Sequence, residues 1–168
     1  MAELQNRNFQ GSGLSRRPQA SGQTGSRQRE QQPGGQQRES EEIPRPTKSE
    51  YRPQWITSAA DKSMVEYAEK AGRFMALRGL TNAKIRSIYG EIKRIQMSEF
   101  EKEKSAFILL KPKVAYALGR DRENKGLKLF REIFDMSSAD VTDQKSFQNF
   151  CNLMEAILAY HRAHGGKD

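Results

Sequence analysis

TNAKIRSIYGEIKRI, residues Thr81–Ile95, decides the fold class. Ile85, Ile88, Tyr89, Ile92 and Ile95 recur at i, i+3, i+4, i+7 and i+10, which is one face of a helix and no face of a strand. Working outward, the same period returns on both sides. Upstream, Met64, Val65, Tyr67, Ala68, Ala71, Phe74, Met75 and Leu77 form an earlier helix. Asp61 or Ser63 can cap it and Gly79 ends it. Downstream, Leu127, Leu129, Phe130, Ile133 and Phe134 mark a helix that follows Asn124 or Gly126. Ser137–Thr142 then reads as a loop. Thr142 or Asp143 caps a last helix carrying Phe147, Phe150, Cys151, Met154, Ile157, Leu158 and His161, and Gly165–Gly166 stops it. Between these lies LKPKVAYALGR, Leu110–Arg120. Pro112 suits the first helical position, with Lys111 closing an extended approach. Glu99–Lys104 either prolongs the Thr81 helix or forms its exit, and Phe107–Leu110 reads as buried approach chain or helix end. The expected fold is all-α, a compact bundle of about five helices.

The bundle does not use the whole chain. Among 168 residues only 35% are hydrophobic, low for a compact domain. The deficit sits in residues 1–50, where Gln, Gly, Ser and Arg dominate and the large apolar side chains are Leu4, Phe9, Leu14 and Ile43. Such a segment cannot bury enough apolar surface to offset its ordering entropy. Residues 1–54 are therefore expected to be a disordered Gln/Gly/Arg/Pro-rich tail and linker, and 55–168 a helical domain. Pro44, Pro46 and Pro53 should keep the end of the linker extended and stiff, with Tyr51, Trp55 and Ile56 docking it onto the domain. The tail lacks the apolar core of a secretory signal. No apolar run approaches the roughly 20 residues that cross a bilayer. One cysteine excludes an internal disulfide and fits a reducing cytoplasm.

Charge narrows the function. The formal net charge is +8, which suits a polyanionic partner. It is unevenly spread. Lys84–Arg131 holds thirteen Lys/Arg against six Asp/Glu, a net of +7, whereas 132–168 carries a net of −3. On the Thr81 helix, Arg86, Gly90, Lys93 and Arg94 fall at i, i+4, i+7 and i+8. Gly90 admits either a close partner backbone or helix–helix packing. On the Pro112 helix, Lys113, Tyr116, Ala117 and Arg120 share a face, opposite Val114, Ala115 and Leu118. Lys111, Arg122 and Lys125 extend that basic stripe. Two cations flanking an aromatic suit a nucleic-acid backbone, although a solvated charged face beside a half-buried tyrosine has the same pattern. Contacts of this kind position a strand without reading its sequence.

Catalytic constellations are missing from the pattern. His161 and His164 share a helix without a third ligand at suitable spacing. Cys151 lies on an apolar stripe, as a core residue would. No phosphate-binding glycine loop or pair of opposed carboxylates stands out. The expectation is a binding module with no catalytic residues, no metal and no cofactor.

Two motifs carry a family resemblance over roughly Thr57–Gly166. One is Lys111-Pro112-Lys113 with Tyr116 and Arg120. The other is Glu155-Ala156 with Ala159-Tyr160-His161. With GLKLFREIFD between them, the chain resembles the small helical subunit of type III-A CRISPR effector complexes, the Csm complexes. The resemblance implies a non-catalytic all-α antiviral-defence protein that binds the backbone of a guide–target RNA duplex, mainly the target strand. It implies as partners target RNA and guide RNA, RNA-recognition-like backbone subunits, a large polymerase-like subunit and further copies of itself, in the cytoplasm and away from membranes. Lys111, Lys113 and Arg120 match the basic motif and become the first RNA contacts. Arg122, Lys125, Arg86, Lys93 and Arg94 follow from local spacing. The Glu155–His161 motif reads as packing or subunit contact. The long N-terminal tail departs from the family. A helical DNA-binding regulator turning at Arg78–Thr81, a small metal-dependent nuclease using His161, His164 and a carboxylate, and a protein-binding adaptor are the rival readings.

Overall fold

The computed structural model describes residues 43–166, with Ser87 described by its backbone alone; residues 1–42 of the tail and linker expected over 1–54 lie outside them. A 3₁₀ turn at Lys48–Glu50 leads to α1 (Gln54–Thr57), α2 (Lys62–Leu77), α3 (Asn82–Gln96), α4 (Phe100–Ile108), α5 (Leu110–Arg120), α6 (Lys125–Ala139) and α7 (Gln144–Ala163). No strand occurs among the described residues. The fold is an all-α bundle, as the periodicity predicts, with one more long helix than the five expected.

The α2–α7 pair is the axis of the bundle. Gly72 makes it possible. A Cβ there would lie 2.6 Å from the His161 backbone nitrogen and 2.7 Å from the Ile157 carbonyl oxygen. Around this crossing Ala68, Ala71, Met75, Leu153, Met154 and Ile157 are buried. His161 is also fully buried, and its Nε2 lies 2.8 Å from the Leu80 carbonyl oxygen. Donation from that nitrogen satisfies the carbonyl and leaves Nδ1 without a partner. The histidine pins the α2–α3 turn to the end of α7.

That turn is closed by chain chemistry. Gly79 has φ +84°, and the Leu80 N–H donates to the Met75 carbonyl oxygen at 3.0 Å, the longer of the two bonds of a glycine helix stop. Asn124 caps α6 by accepting from the Leu127 N–H at 2.8 Å, and its amide donates to the Gly79 carbonyl oxygen at 2.8 Å. Gly126 sits where a Cβ would meet the Met75 carbonyl oxygen at 2.7 Å. The start of α6 is thereby held against the α2–α3 turn.

Aromatic side chains seat α4 on α7. Phe100 stacks on Phe147 with centroids 4.7 Å apart, and Phe107 meets Phe147 and Phe150 edge-on, at 5.3 Å each. No side chain of α4 caps its own start. Gln144 does so from α7, accepting from the Phe100 N–H at 2.7 Å.

Several local readings are corrected. Glu99–Lys104 neither prolongs α3 nor forms a loose exit: it opens α4, because Phe100 and Phe107 gain a separate aromatic seat. Phe107 and Leu110 are buried, but Ile108 and Leu109 between them are 63% and 58% exposed. Lys111 is helical and Pro112 is the third residue of α5, not the first. First-turn N–H groups have no intrahelical acceptor, so the proline costs α5 nothing there. It also offers no N–H to the Ile108 carbonyl, so α4 cannot run on into α5. Ser137 belongs to α6, buried and donating to the Ile133 carbonyl oxygen at 2.7 Å. That bond satisfies the buried hydroxyl inside the helix, which runs to Ala139. Asp61, not Ser63, caps α2. Ser63 instead links the cap to the linker, accepting from Trp55 Nε1 at 3.1 Å and donating to Asp61 at 2.6 Å.

Trp55 and Ile56 are buried, as expected of docking residues. Residues 43–53 are more than a stiff spacer. Pro46 is buried, Arg45 pairs with Glu132 at 2.7 Å, Glu50 with Lys70 at 2.6 Å, and the Tyr51 hydroxyl donates to Asp140 at 2.6 Å. Gly90 meets nothing within 4 Å among the described residues, so packing between the described helices is not its reason.

The two mid-helix glycines predict opposite outcomes. Gly72→Ala forces α2 and α7 apart and should destabilise by about 1–3 kcal/mol. Gly90→Ala should stabilise by about 0.5–1 kcal/mol through helix propensity. Urea midpoints followed by Trp55 fluorescence check both signs.

The helix caps predict acid sensitivity. Hydrogen bonds from Ser63 and the Met64 N–H hold the Asp61 carboxyl below its usual value, and those from Ser146, backbone first, do the same for Asp143. A depressed native pKa contributes stability above about pH 4 that is lost as pH falls through the native value. Melting temperature should drop on that acid limb. The double change Asp61→Asn and Asp143→Asn keeps cap-competent side chains and should flatten it.

Candidate nucleic-acid interface

The α3 and α5 helices bound an open groove of about 990 Å³. Ile88, Leu109, Pro112, Tyr116 and Ala117 supply its apolar lining, and Lys84, Lys113, Arg120 and Asp121 its charged groups. Val114 and Leu110 fix α5 by complete burial. Successive turns then carry Lys113, Tyr116 and Arg120 outward. Tyr116 is 69% exposed, well beyond the half-buried tyrosine of the blander reading. The Arg120 guanidinium carbon lies 5.9 Å from its ring centroid, a cation–π distance.

The charged groups differ in how firmly they are held. Lys113 Nζ is 3.7 Å from Glu91 Oε2, a carboxylate that also accepts from Arg94 Nε at 3.3 Å. Arg94 reaches Glu103 as well, at 3.0 Å. Across the groove Lys84 pairs with Asp121, whose carboxyl is held below its usual value by that lysine first and by Asn124 second. All these side chains are a quarter or more exposed, so solvent screens each pair and none holds its partners firmly. Phosphate oxygens can replace such partners at little cost. Lys111, Arg122 and Lys125 are exposed and make no ion pair among the described residues.

The expected cations therefore do not form one surface. Lys113 and Arg120 share the groove with Tyr116, and Lys111 lies on the same helix. Arg122 and Lys125 continue past the end of α5 towards α6. Lys93 points elsewhere: it pairs with Glu155 of α7 at 3.0 Å and covers Tyr89 at 5.6 Å. Glu155 raises the Lys93 pKa and keeps it charged. Arg86 lines a second, smaller groove between α3 and α7 with Tyr89, Glu155 and Arg162. Lys93 turns to Glu155 of α7 while Arg94 turns to Glu91 and to Glu103 of α4, so their partners draw the two apart. Lys84 and Leu109 were missed from sequence. Lys84 precedes Ile88 by one turn on the groove side of α3, a legible signal. The exposure of Leu109 depends on the α4–α5 break.

The histidines and cysteine hold no comparable arrangement. His161 bonds a core carbonyl, and His164 lies 4.0 Å from Glu69. Burial pushes the Cys151 thiol up to about 12, so its thiolate is scarce at neutral pH. No three His, Cys, Asp or Glu side chains converge to hold a metal among the described residues. No helix there is long and apolar enough to cross a membrane.

Comparison with known proteins gives these surfaces a context. Residues 58–167 match the family model described as Csm2 Type III-A. A Streptococcus thermophilus protein described as "CRISPR system Cms protein Csm2" is 30% identical over 117 residues, spanning 61% of this chain and 93% of that relative. No solved structure matches. The matched region runs from the end of α1 through the last helix, and so includes both walls of the groove. The chain belongs to the type III-A Csm2 family, the small helical structural subunits of CRISPR Csm complexes.

Proposed function

We propose that this subunit binds the sugar-phosphate backbone of a guide–target RNA duplex through the α5 face, mainly on the target strand, and performs no catalysis itself. Lys111, Lys113 and Arg120 make the first contacts, with Arg122 and Lys125 following the strand past the end of α5. The observation that carries this reading is the exposed Lys113–Tyr116–Arg120 row on a groove wall, within the most basic third of a family member's chain. Arg94 supports the row by holding Glu91, and Arg86 and Lys93 on the α3–α7 side serve a second RNA or subunit contact. The RNA-recognition-like backbone subunits, the large polymerase-like subunit and further copies of this chain are the protein partners, assembled in the cytoplasm. Residues 1–54 act as tail and linker, and 55–168 as the binding domain. Cutting and signalling chemistry belongs to those other subunits.

The test is the triple change Lys111→Ala, Lys113→Ala and Arg120→Ala in a reconstituted complex. Target-RNA affinity should fall. The slope of log affinity against log salt should shrink by about 2, since each phosphate that a cation no longer neutralises removes about 0.7–0.9 from it. An assembled complex with unchanged affinity and slope overturns the assignment.

A further inference from the structure

Phosphate binding does not account for the groove's lining. A strand held by its phosphates alone needs cations on a polar surface. Here a large aromatic ring and a leucine stand 69% and 58% exposed between the cations, beside Pro112 and Ala117. The space, about 990 Å³, is at the upper end of what small-ligand pockets span and far exceeds one phosphate. It is open to solvent.

We infer that the α3–α5 groove accepts an unstacked nucleobase of an RNA strand, seated on Tyr116 while Lys113 and Arg120 hold its flanking phosphates. This rests on the RNA-binding reading above and adds a base site to it. Three observations support it. Tyr116 offers its ring at the groove wall, and any base can stack on a π-face. Arg120 already lies over that ring at cation–π distance, and aromatic rings and Arg guanidinium planes are the surfaces on which splayed RNA bases stack. Charge complementarity favours a polyanion over an apolar peptide: Lys84, Lys113 and Arg120 line the groove, and its one carboxylate, Asp121, is occupied by Lys84 and Asn124. The site is indifferent to base identity, since stacking supplies the contact.

The experiment uses the full chain with short oligouridylate, the same oligomer bearing abasic sites, and a blunt RNA duplex. Tyr116→Ala should weaken oligouridylate binding roughly 5- to 100-fold, the range of one base–aromatic stack. Its salt slope should stay unchanged, because no ionic contact is removed. Tyr116→Trp should keep the affinity, and its added fluorescence should be quenched by oligouridylate but not by the abasic oligomer. Because Tyr116 is exposed, circular dichroism should show both variants folded.

If Tyr116→Ala binds oligouridylate like the unaltered chain while Lys113→Ala with Arg120→Ala lowers the salt slope, the base site is overturned and the phosphate reading stands. If neither set changes binding, or the full chain binds no RNA at low salt, both fall. A Tyr116-dependent dimer in sedimentation that RNA does not displace would assign the groove to a second copy and overturn the base site.

Discussion

Between Gly72 and the Ile157–His161 turn of α7 there is no room for a methyl group, and the rest of the bundle is built around that approach. Helix axes usually stay 8–10 Å apart because side chains intervene. Here backbone meets backbone, so the α2–α7 separation is set by the glycine. His161, one turn beyond, then reaches Leu80, and Gly79 and Asn124 lock the α2–α3 turn to the start of α6. Each tie assumes the one before it. Widening the first contact would move the Leu80 carbonyl away from the imidazole and the Gly79 carbonyl away from the Asn124 amide.

The candidate interface is a by-product of two further constraints. The phenylalanine cluster on α7 holds α4, and Pro112 breaks α4 from α5. The break turns α5 so that Leu110 and Val114 enter the core while Leu109, Lys113, Tyr116 and Arg120 line a groove against α3. A continuous α4–α5 helix would carry the same residues on a different face. Weak exposed ion pairs cover Lys84 and Lys113 of the groove. Their small energies make them suitable partners to exchange for phosphate.

Helix identity was legible almost everywhere, because isoleucine and phenylalanine at 3.6-residue spacing leave little choice. The stop at Gly79 and the caps at Asp61 and Asp143 follow the local rules. What went astray was local ambiguity resolved at long range. Glu99–Lys104 has no core stripe of its own, and its helix depends on Phe100 finding Phe147 and Gln144, over forty residues away. Ser137 reads as a loop residue until its hydroxyl is seen bonding inside α6. Lys93 and Arg94 look like one basic stripe, yet Glu155 and Glu103 draw them to different sides.

By itself the sequence determined that this is a basic, all-helical chain, with its positive charge concentrated between Lys84 and Arg131 and with the motifs of a Csm small subunit. Those properties reside in residue types and near-neighbour spacing, which do not change with fold. Only the tertiary structure decided which cations stand together, that Gly72 and not Gly90 is a close-approach glycine between the described helices, and that Leu109 and Tyr116 face a groove. Each depends on how one helix is rotated against another, and that rotation is set by packing partners too distant in the chain for any local pattern to encode.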